Sequence, residues 1–116
     1  GATTPSGAIF QSFALEVLLT FFLMYVILSV STGAKEKGIM AGAAIGATVA
    51  LAAMFGGPVS GASMNPARSI GPALMSGELS HLWLYILAPC TGAAATVLAC
   101  KGTRENCCPE CAPERA

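Results

Sequence analysis

The stretch that decides the fold is Ser60-Gly61-Ala62-Ser63-Met64-Asn65-Pro66-Ala67-Arg68-Ser69, which lies between two long apolar segments. Asn is a preferred helix N-cap, and proline is tolerated in the first turn because its missing N–H has no partner there. The stretch therefore predicts a helix that begins at Pro66, with Asn65 as its cap. Arg68 follows in the first turn and adds its charge to the positive end of the helix dipole. These residues together predict a polar, electropositive site.

The composition of the chain places this polar stretch in a membrane. Of 116 residues, 54% are hydrophobic and 10% are charged, and the mean hydropathy is +0.68. Soluble domains carry about 25% charged residues, so this chain lacks the charge to cover a water-facing surface. A net charge of zero without a basic run argues against nucleic acid as a partner. An enzyme is not expected, because the sequence shows no nucleophile–base pair or metal-ligand set of the kind that active sites contain. We also expect no cofactor.

Three apolar segments are long enough for membrane-spanning helices, which need roughly 17 to 25 residues. The predicted spans are residues 9–30, 39–55 and 81–100, and the first contains one charged residue, Glu16. We expect a multi-pass integral protein of the plasma membrane or of a bacterial inner membrane. The chain begins with Gly1 rather than Met, so we expect it to be part of a longer protein. No basic segment precedes the first span, so we do not expect that span to be a signal peptide.

The basic residues predict the orientation of the spans. They lie in the loop 31–38 and in the tail 101–116, apart from Arg68: Lys35, Lys37, Lys101, Arg104 and Arg115. The positive-inside rule assigns that loop and tail to the cytoplasm. Residues 1–8 are then an extracellular loop, and Arg68 is the one basic residue away from the cytoplasmic side.

Residues 56–80 are too apolar for a surface loop and predict a re-entrant segment. The glycines and the proline at its start predict extended, non-helical backbone from Gly56 to Met64. The helix that follows, from Pro66 to Met75, would be about 15 Å long, roughly half the hydrocarbon thickness. Non-helical backbone at that depth is stable only where it is buried in protein or lines a water-filled cavity.

Small residues recur every four positions in the second and third spans, a spacing that lets helix backbones approach closely in lipid. These stripes are Gly38, Gly42, Gly46 and Ala50 in the second span, and Ala88, Gly92 and Thr96 in the third. They predict helix packing. Trp83 and Tyr85 fit an aromatic belt at the outer interface.

The charge at the re-entrant segment predicts its chemistry. An arginine at the membrane centre costs at least ~2.5 to 3.5 kcal/mol, so it normally faces a cavity. Arg68 and the helix dipole would repel cations and leave donors for a neutral solute, while the extended backbone would offer carbonyl acceptors. The pattern favours a pore for small uncharged molecules. A secondary transporter, which also uses broken helices, and a non-conducting structural protein stay open as alternatives.

Two motifs resemble one known family. Residues 60–73, Ser-Gly-Ala-Ser-Met-Asn-Pro-Ala-Arg-Ser-Ile-Gly-Pro-Ala, resemble the second Asn-Pro-Ala loop of the major intrinsic protein (aquaporin) family. Residues 16–21, Glu-Val-Leu-Leu-Thr-Phe, resemble its Glu-x-x-x-Thr-Phe signature. Pro58, Gly61, Met64 and Pro72 look most like the nodulin-like members and their bacterial aquaglyceroporin-type relatives.

The resemblance implies an all-α membrane fold. In this family two three-helix halves form an inverted repeat, and each half supplies one half-helix. The chain matches the second, C-terminal half, so the implied partners are the lipid bilayer, the missing N-terminal half with the first Asn-Pro-Ala motif, and further copies in a homotetramer.

The resemblance also implies roles for individual residues. The pore motif would be Asn65, Pro66 and Ala67, and the selectivity filter would contain Ala53, Ala62 and Arg68. Water-selective members typically carry His at the position of Ala53, so two alanines predict a wider and less polar filter. Glycerol, urea and neutral metalloid hydroxides such as boric or arsenous acid are the expected solutes. A water-selective pore is the alternative.

Two further sets of residues carry expectations. Glu16 and Thr20 are expected to be structural, with Glu16 accepting hydrogen bonds from loop N–H groups rather than relaying protons. The tail cluster, Cys107, Cys108 and Cys111, could bind a soft metal or trivalent arsenic, but a set without His or a fourth ligand is a weak zinc signal. Palmitoylation and a tail without a ligand stay open as alternatives.

Overall fold

The computed structural model describes residues 1–32 and 39–103 of the chain. Within these ranges it has four α-helices and no strand: α1 (Ile9–Thr32), α2 (Ile39–Ser60), α3 (Pro66–Ser76) and α4 (Leu82–Thr103). Helices α1, α2 and α4 are long and apolar enough to cross a membrane, whereas α3 has only 11 residues. The predicted all-α class, with three long helices and one short helix, is confirmed.

Helix α2 ends later than the sequence predicts. It contains Pro58 and continues to Ser60, so the expected extended backbone is wrong for residues 56–60. Residues 61–65 are non-helical, as the sequence predicts for the stretch up to Met64. Pro58 removes a single helical hydrogen bond, while leaving the helix earlier would expose several backbone groups to lipid. Gly56 serves packing instead, because a Cβ there would collide with the side chain of Leu19 in α1.

Helix α1 is the centre of the bundle, since α2 and α4 both pack against it and α3 packs against α4. The small-residue stripe of α4 lies buried in the contact with α1. Thr96 Oγ1 donates to the carbonyl oxygen of Phe21 at 2.9 Å. A Cβ at Gly92 would collide with the carbonyl oxygen of Val17. The packing role predicted for this stripe is confirmed.

The stripe of α2 is different. Gly42, Gly46 and Ala50 are exposed, and no atom lies within 4 Å of a Cβ built on either glycine. Gly38, which would begin this stripe, lies outside the described residues. Within the described part of the chain, this stripe therefore does not pack against another helix.

The contrast between the two stripes predicts a difference in stability. Gly92→Ala is expected to lower the free energy of unfolding by roughly 1 to 3 kcal/mol, because the methyl group has no room beside Val17. Gly42→Ala is the matched control and should gain up to about 1 kcal/mol from helix propensity alone. Thermal unfolding of both variants in detergent measures the difference. Equal unfolding temperatures for the two would contradict the close α1–α4 contact.

Candidate functional site

The loop 61–65 between α2 and α3 has an unusual backbone. Gly61, Ala62 and Met64 have φ angles of 86°, 44° and 54°. Gly61 adopts this left-handed conformation easily because it has no Cβ, but each non-glycine residue costs about 1–3 kcal/mol there. Contacts from the rest of the chain must therefore hold the loop in place.

The carboxylate of Glu16 supplies several of these contacts. Its Oε1 accepts from the Ser63 backbone N–H and from Ser60 Oγ, and its Oε2 accepts from the Met64 backbone N–H, each at 2.8 Å. Glu16 is fully buried in α1. Hydrogen bonds to a carboxylate are roughly twice as strong as neutral ones. The Ser63 and Met64 N–H groups have no partner within a helix, because the loop is not helical, and Glu16 accepts from both of them.

The last carbonyl groups of α2 also find partners outside the helix. Gly61 N–H donates to the Gly57 oxygen at 3.0 Å, and the Val59 oxygen accepts from the N–H groups of Ser6 and Gly7 at 2.9 and 3.4 Å. Ser12 Oγ donates to the same Val59 oxygen at 3.4 Å. The segment before α1 therefore caps the end of α2.

Tyr85 is a residue of this site that sequence reasoning assigned wrongly. It was expected in an interfacial aromatic belt, but it is 1% exposed and its hydroxyl donates to the carbonyl oxygen of Ser60. Trp83, its expected companion, is about half exposed and stacks on Phe13. The signal for Tyr85 is its position three residues before Ala88, because helical periodicity places residues three and four apart on the same face.

The start of α3 has the predicted cap. Asn65 is extended, Pro66 is the first helical residue, and Asn65 Oδ1 accepts the Ala67 N–H at 3.0 Å. Because the cap uses the amide oxygen, the Nδ2 group of the exposed Asn65 is the part that can donate outward. Helix α3 ends at Ser76 and is capped by Gly77, whose N–H donates to the Ala73 oxygen at 2.9 Å.

The structure joins two of the three candidate filter residues. Arg68 is exposed, and its Nη1 donates to the Ala62 carbonyl oxygen at 3.3 Å. Ala62 itself is 1% exposed and packs with Met64 and Ala52, so it lies beneath Arg68 rather than on an open surface. Ala53 is exposed on α2, without a hydrogen bond to the other two in the described part of the chain.

Two further candidates lie elsewhere. Thr20 is buried against Gly92 of α4, and its Oγ1 has no hydrogen-bond partner in residues 1–32 and 39–103. Thr20 therefore lies in the contact between α1 and α4, and its role as structural support stays a prediction. The tail candidates Cys107, Cys108 and Cys111 lie outside the described residues.

Comparison with known proteins places this arrangement in a family. The model of the major intrinsic protein family matches residues 2–100. The chain belongs to the major intrinsic protein family. With its three long apolar helices, it is a multi-pass integral membrane protein.

The similar proteins are plant members of this family. The chain is 56% identical to Aquaporin NIP1-4 of Oryza sativa over 94 residues, which are 81% of this chain and 34% of that protein. It is 53% identical to Nodulin-26 of Glycine max over 93 residues, 80% of this chain and 34% of that protein. Aquaporin NIP3-1 of Arabidopsis thaliana is 54% identical over 91 residues, 78% and 28% of the two chains. The chain spans about a third of the length of these relatives.

Proposed function

We propose that this chain forms the second half of a passive channel for water and small uncharged solutes. The observation that carries the proposal is the position of Arg68 in the first turn of the 11-residue helix α3, beside the exposed amide of Asn65. Both residues lie at the end of a loop that the rest of the chain holds in place. Membership of the major intrinsic protein family and the similarity to aquaporins support the same function.

The charges of this site favour neutral solutes. The positive end of the α3 dipole and the Arg68 guanidinium act in the same direction, so an approaching cation meets two repulsive terms. An uncharged solute can instead accept hydrogen bonds from the guanidinium and from Asn65 Nδ2. An exposed arginine in a membrane-spanning chain also needs a water-filled surrounding, which a pore supplies.

The complete pore requires partners. We propose that these are a first half with its own Asn-Pro-Ala motif, which supplies the fourth filter residue, and further copies that assemble into a homotetramer in the bilayer. Residues 1–8 and the loop 61–65 would face outward, and the segments 33–38 and 104–116 the cytoplasm. The spans are proposed to lie within 9–32, 39–60 and 82–103.

The filter is proposed to pass solutes larger than water. Ala53 is exposed and small, and Ala62 lies beneath Arg68, so neither side chain narrows the path. Glycerol, urea, boric acid and arsenous acid are the candidate solutes, and a water-selective pore is the alternative.

Ala53→His is expected to lower glycerol flux at least tenfold while changing water flux by less than threefold, because an imidazole would fill the space that the larger solute needs. The test uses a chimera, in which residues 1–116 replace the matching third of soybean Nodulin-26, reconstituted in proteoliposomes. Ala53→Ser, which barely changes the volume, is the control and should keep both fluxes.

Equal loss of both fluxes in Ala53→His would remove Ala53 from the filter. Flux in the parent chimera that saturates and requires an ion gradient would overturn the channel.

A further inference from the structure

Three hydroxyl groups connect the segment before α1 to the start of α3. Thr3 Oγ1 lies 2.6 Å from Ser69 Oγ, and Ser69 Oγ lies 2.6 Å from Ser63 Oγ. Ser63 Oγ in turn donates to the carbonyl oxygen of Asn65 at 2.9 Å. Ser63 and Ser69 are 2% and 1% exposed, so the chain of hydrogen bonds is shielded from the surroundings between its two ends.

The direction of this chain follows from counting protons. The Asn65 carbonyl oxygen can only accept, so the single proton of Ser63 Oγ is committed to it. Ser69 must then donate to Ser63, and Thr3 must donate to Ser69. Thr3 therefore donates to Ser69, Ser69 to Ser63, and Ser63 to Asn65. Ser69 and Ser63 both donate and accept, whereas Thr3 is the first donor. Hydrogen bonds aligned in one direction polarise and strengthen one another.

The segment 1–8 is attached to the same region at two more points. The N–H groups of Ser6 and Gly7 donate to the Val59 carbonyl oxygen at the end of α2. Thr3 lies over Gly61, where a Cβ would be 3.3 Å from Thr3 Cγ2. The segment thus contacts the end of α2, Gly61 at the start of the loop, and the first turn of α3. Glu16 holds the middle of that loop through Ser63 and Met64.

The relay ends at Asn65 of the pore motif and passes next to Arg68, one of the candidate filter residues. Ser69 directly follows Arg68 in the first turn of α3, and Asn65 is both the last acceptor of the relay and the cap of that helix. Breaking the relay at Ser69 frees the first turn of α3 from Ser63. Breaking it at Thr3 frees the loop from the segment before α1. Arg68 donates to the Ala62 carbonyl oxygen at 3.3 Å, so we expect either change to shift the guanidinium relative to that carbonyl group.

We propose that Thr3 and Ser69 are positioning residues of the filter, so that the segment before the first span sets solute selectivity through a one-directional hydroxyl relay. Neither residue needs to touch the solute. The selectivity part of this inference rests on the proposed channel function. The structural part, that the relay orders Asn65 and the first turn of α3, does not.

The test compares four variants of the chimera. Thr3→Val keeps the side-chain shape but removes the first donor, and Ser69→Ala removes the middle hydroxyl. Thr3→Ser keeps the hydroxyl and is the conservative rescue. Thr4→Val is the matched control, because Thr4 is exposed and adjacent to Thr3. Two quantities are measured on each: the ratio of glycerol to water permeability in proteoliposomes, and the hydrogen–deuterium exchange rate of the Ala67 amide, which donates to Asn65.

We expect Thr3→Val and Ser69→Ala to change the permeability ratio at least twofold and to raise the Ala67 exchange rate roughly two- to tenfold, the range that one net hydrogen bond supplies. Thr3→Ser and Thr4→Val should match the parent. A merely structural role would reduce the number of working channels and leave the ratio unchanged, so an unchanged ratio in Thr3→Val overturns the proposal. Loss of function in Thr3→Ser equal to that in Thr3→Val also overturns it. If the parent chimera conducts neither water nor glycerol, the proposed function fails. The Ala67 exchange rate in the variants then still tests whether the relay orders Asn65, and an unchanged rate overturns that part of the proposal.

Discussion

Glu16→Ala is expected to abolish solute flux through the chimera and to release the loop 61–65. The substitution removes the acceptor of three hydrogen bonds, two of them from the backbone N–H groups of Ser63 and Met64. A buried donor left without a partner costs about 1–3 kcal/mol, and more in a lipid-surrounded chain. The two orphaned backbone donors together cost about 2–6 kcal/mol, a large part of the stability of a typical domain, about 5–15 kcal/mol. The strain of the two non-glycine residues at positive φ then favours release of the loop.

Glu16→Gln is the control, because it keeps the volume of the side chain and removes one of its two acceptor oxygens. Its amide oxygen can still accept, but its NH₂ group would face a backbone N–H, so one loop donor loses its partner. We therefore expect intermediate flux, and exchange that becomes fast at only one of the Ser63 and Met64 amides. Hydrogen–deuterium exchange read by mass spectrometry follows both amides. Parental protection of these amides in Glu16→Ala would show that other contacts hold the loop.

The role of Glu16 shows which part of the site is predictable from sequence. A lone carboxylate in an apolar span must find donors, and a neighbouring segment with glycine and proline can supply unpaired N–H groups. That reasoning uses only the cost of burying a charge. The cap of α3 is predictable for a similar reason, since Asn65 and Pro66 act on the helix within three residues of themselves.

The end of α2 was predicted wrongly because local propensity competes with the solvent. Gly56 and Pro58 break helices in water, where water molecules take up the released backbone groups. In a membrane those groups have no such partner, and α2 continues to Ser60. Gly56 is explained by the close approach of Leu19, a contact between helices that no window of local sequence contains.

The contacts of Tyr85 and Thr3 depend on the assembled fold. Tyr85 reaches a carbonyl group 25 residues earlier in the chain, and Thr3 reaches a hydroxyl group 66 residues later. Hydroxyl pairs have no characteristic spacing, so a threonine near the start of the chain carries no signal of its partner. Tyr85 could have been found from its position three residues before Ala88, because helical periodicity places it on the same face.

Arg68→Ala is expected to make the chimera permeable to cations while keeping water flux within about threefold of the parent. A unit charge about 8 Å from an ion contributes roughly 2 kcal/mol at an effective dielectric constant of 20, so its loss should raise cation entry about thirtyfold. The α3 dipole alone, equivalent to about half a charge, would remain as the barrier. A pH-sensitive dye trapped in proteoliposomes under a potassium diffusion potential measures the leak of protons.

Arg68→Lys distinguishes the charge of the guanidinium from its shape. Lysine keeps the positive charge but lacks the planar fork whose Nη1 donates to the Ala62 carbonyl group. We expect this variant to exclude cations as the parent does, yet to pass glycerol at an altered rate because the flexible ammonium group is not held against the loop. A proton leak in Arg68→Lys as large as that in Arg68→Ala would show that geometry, rather than charge, excludes cations. Parental exclusion in Arg68→Ala would instead assign the barrier to the helix dipole and to the first half of the channel.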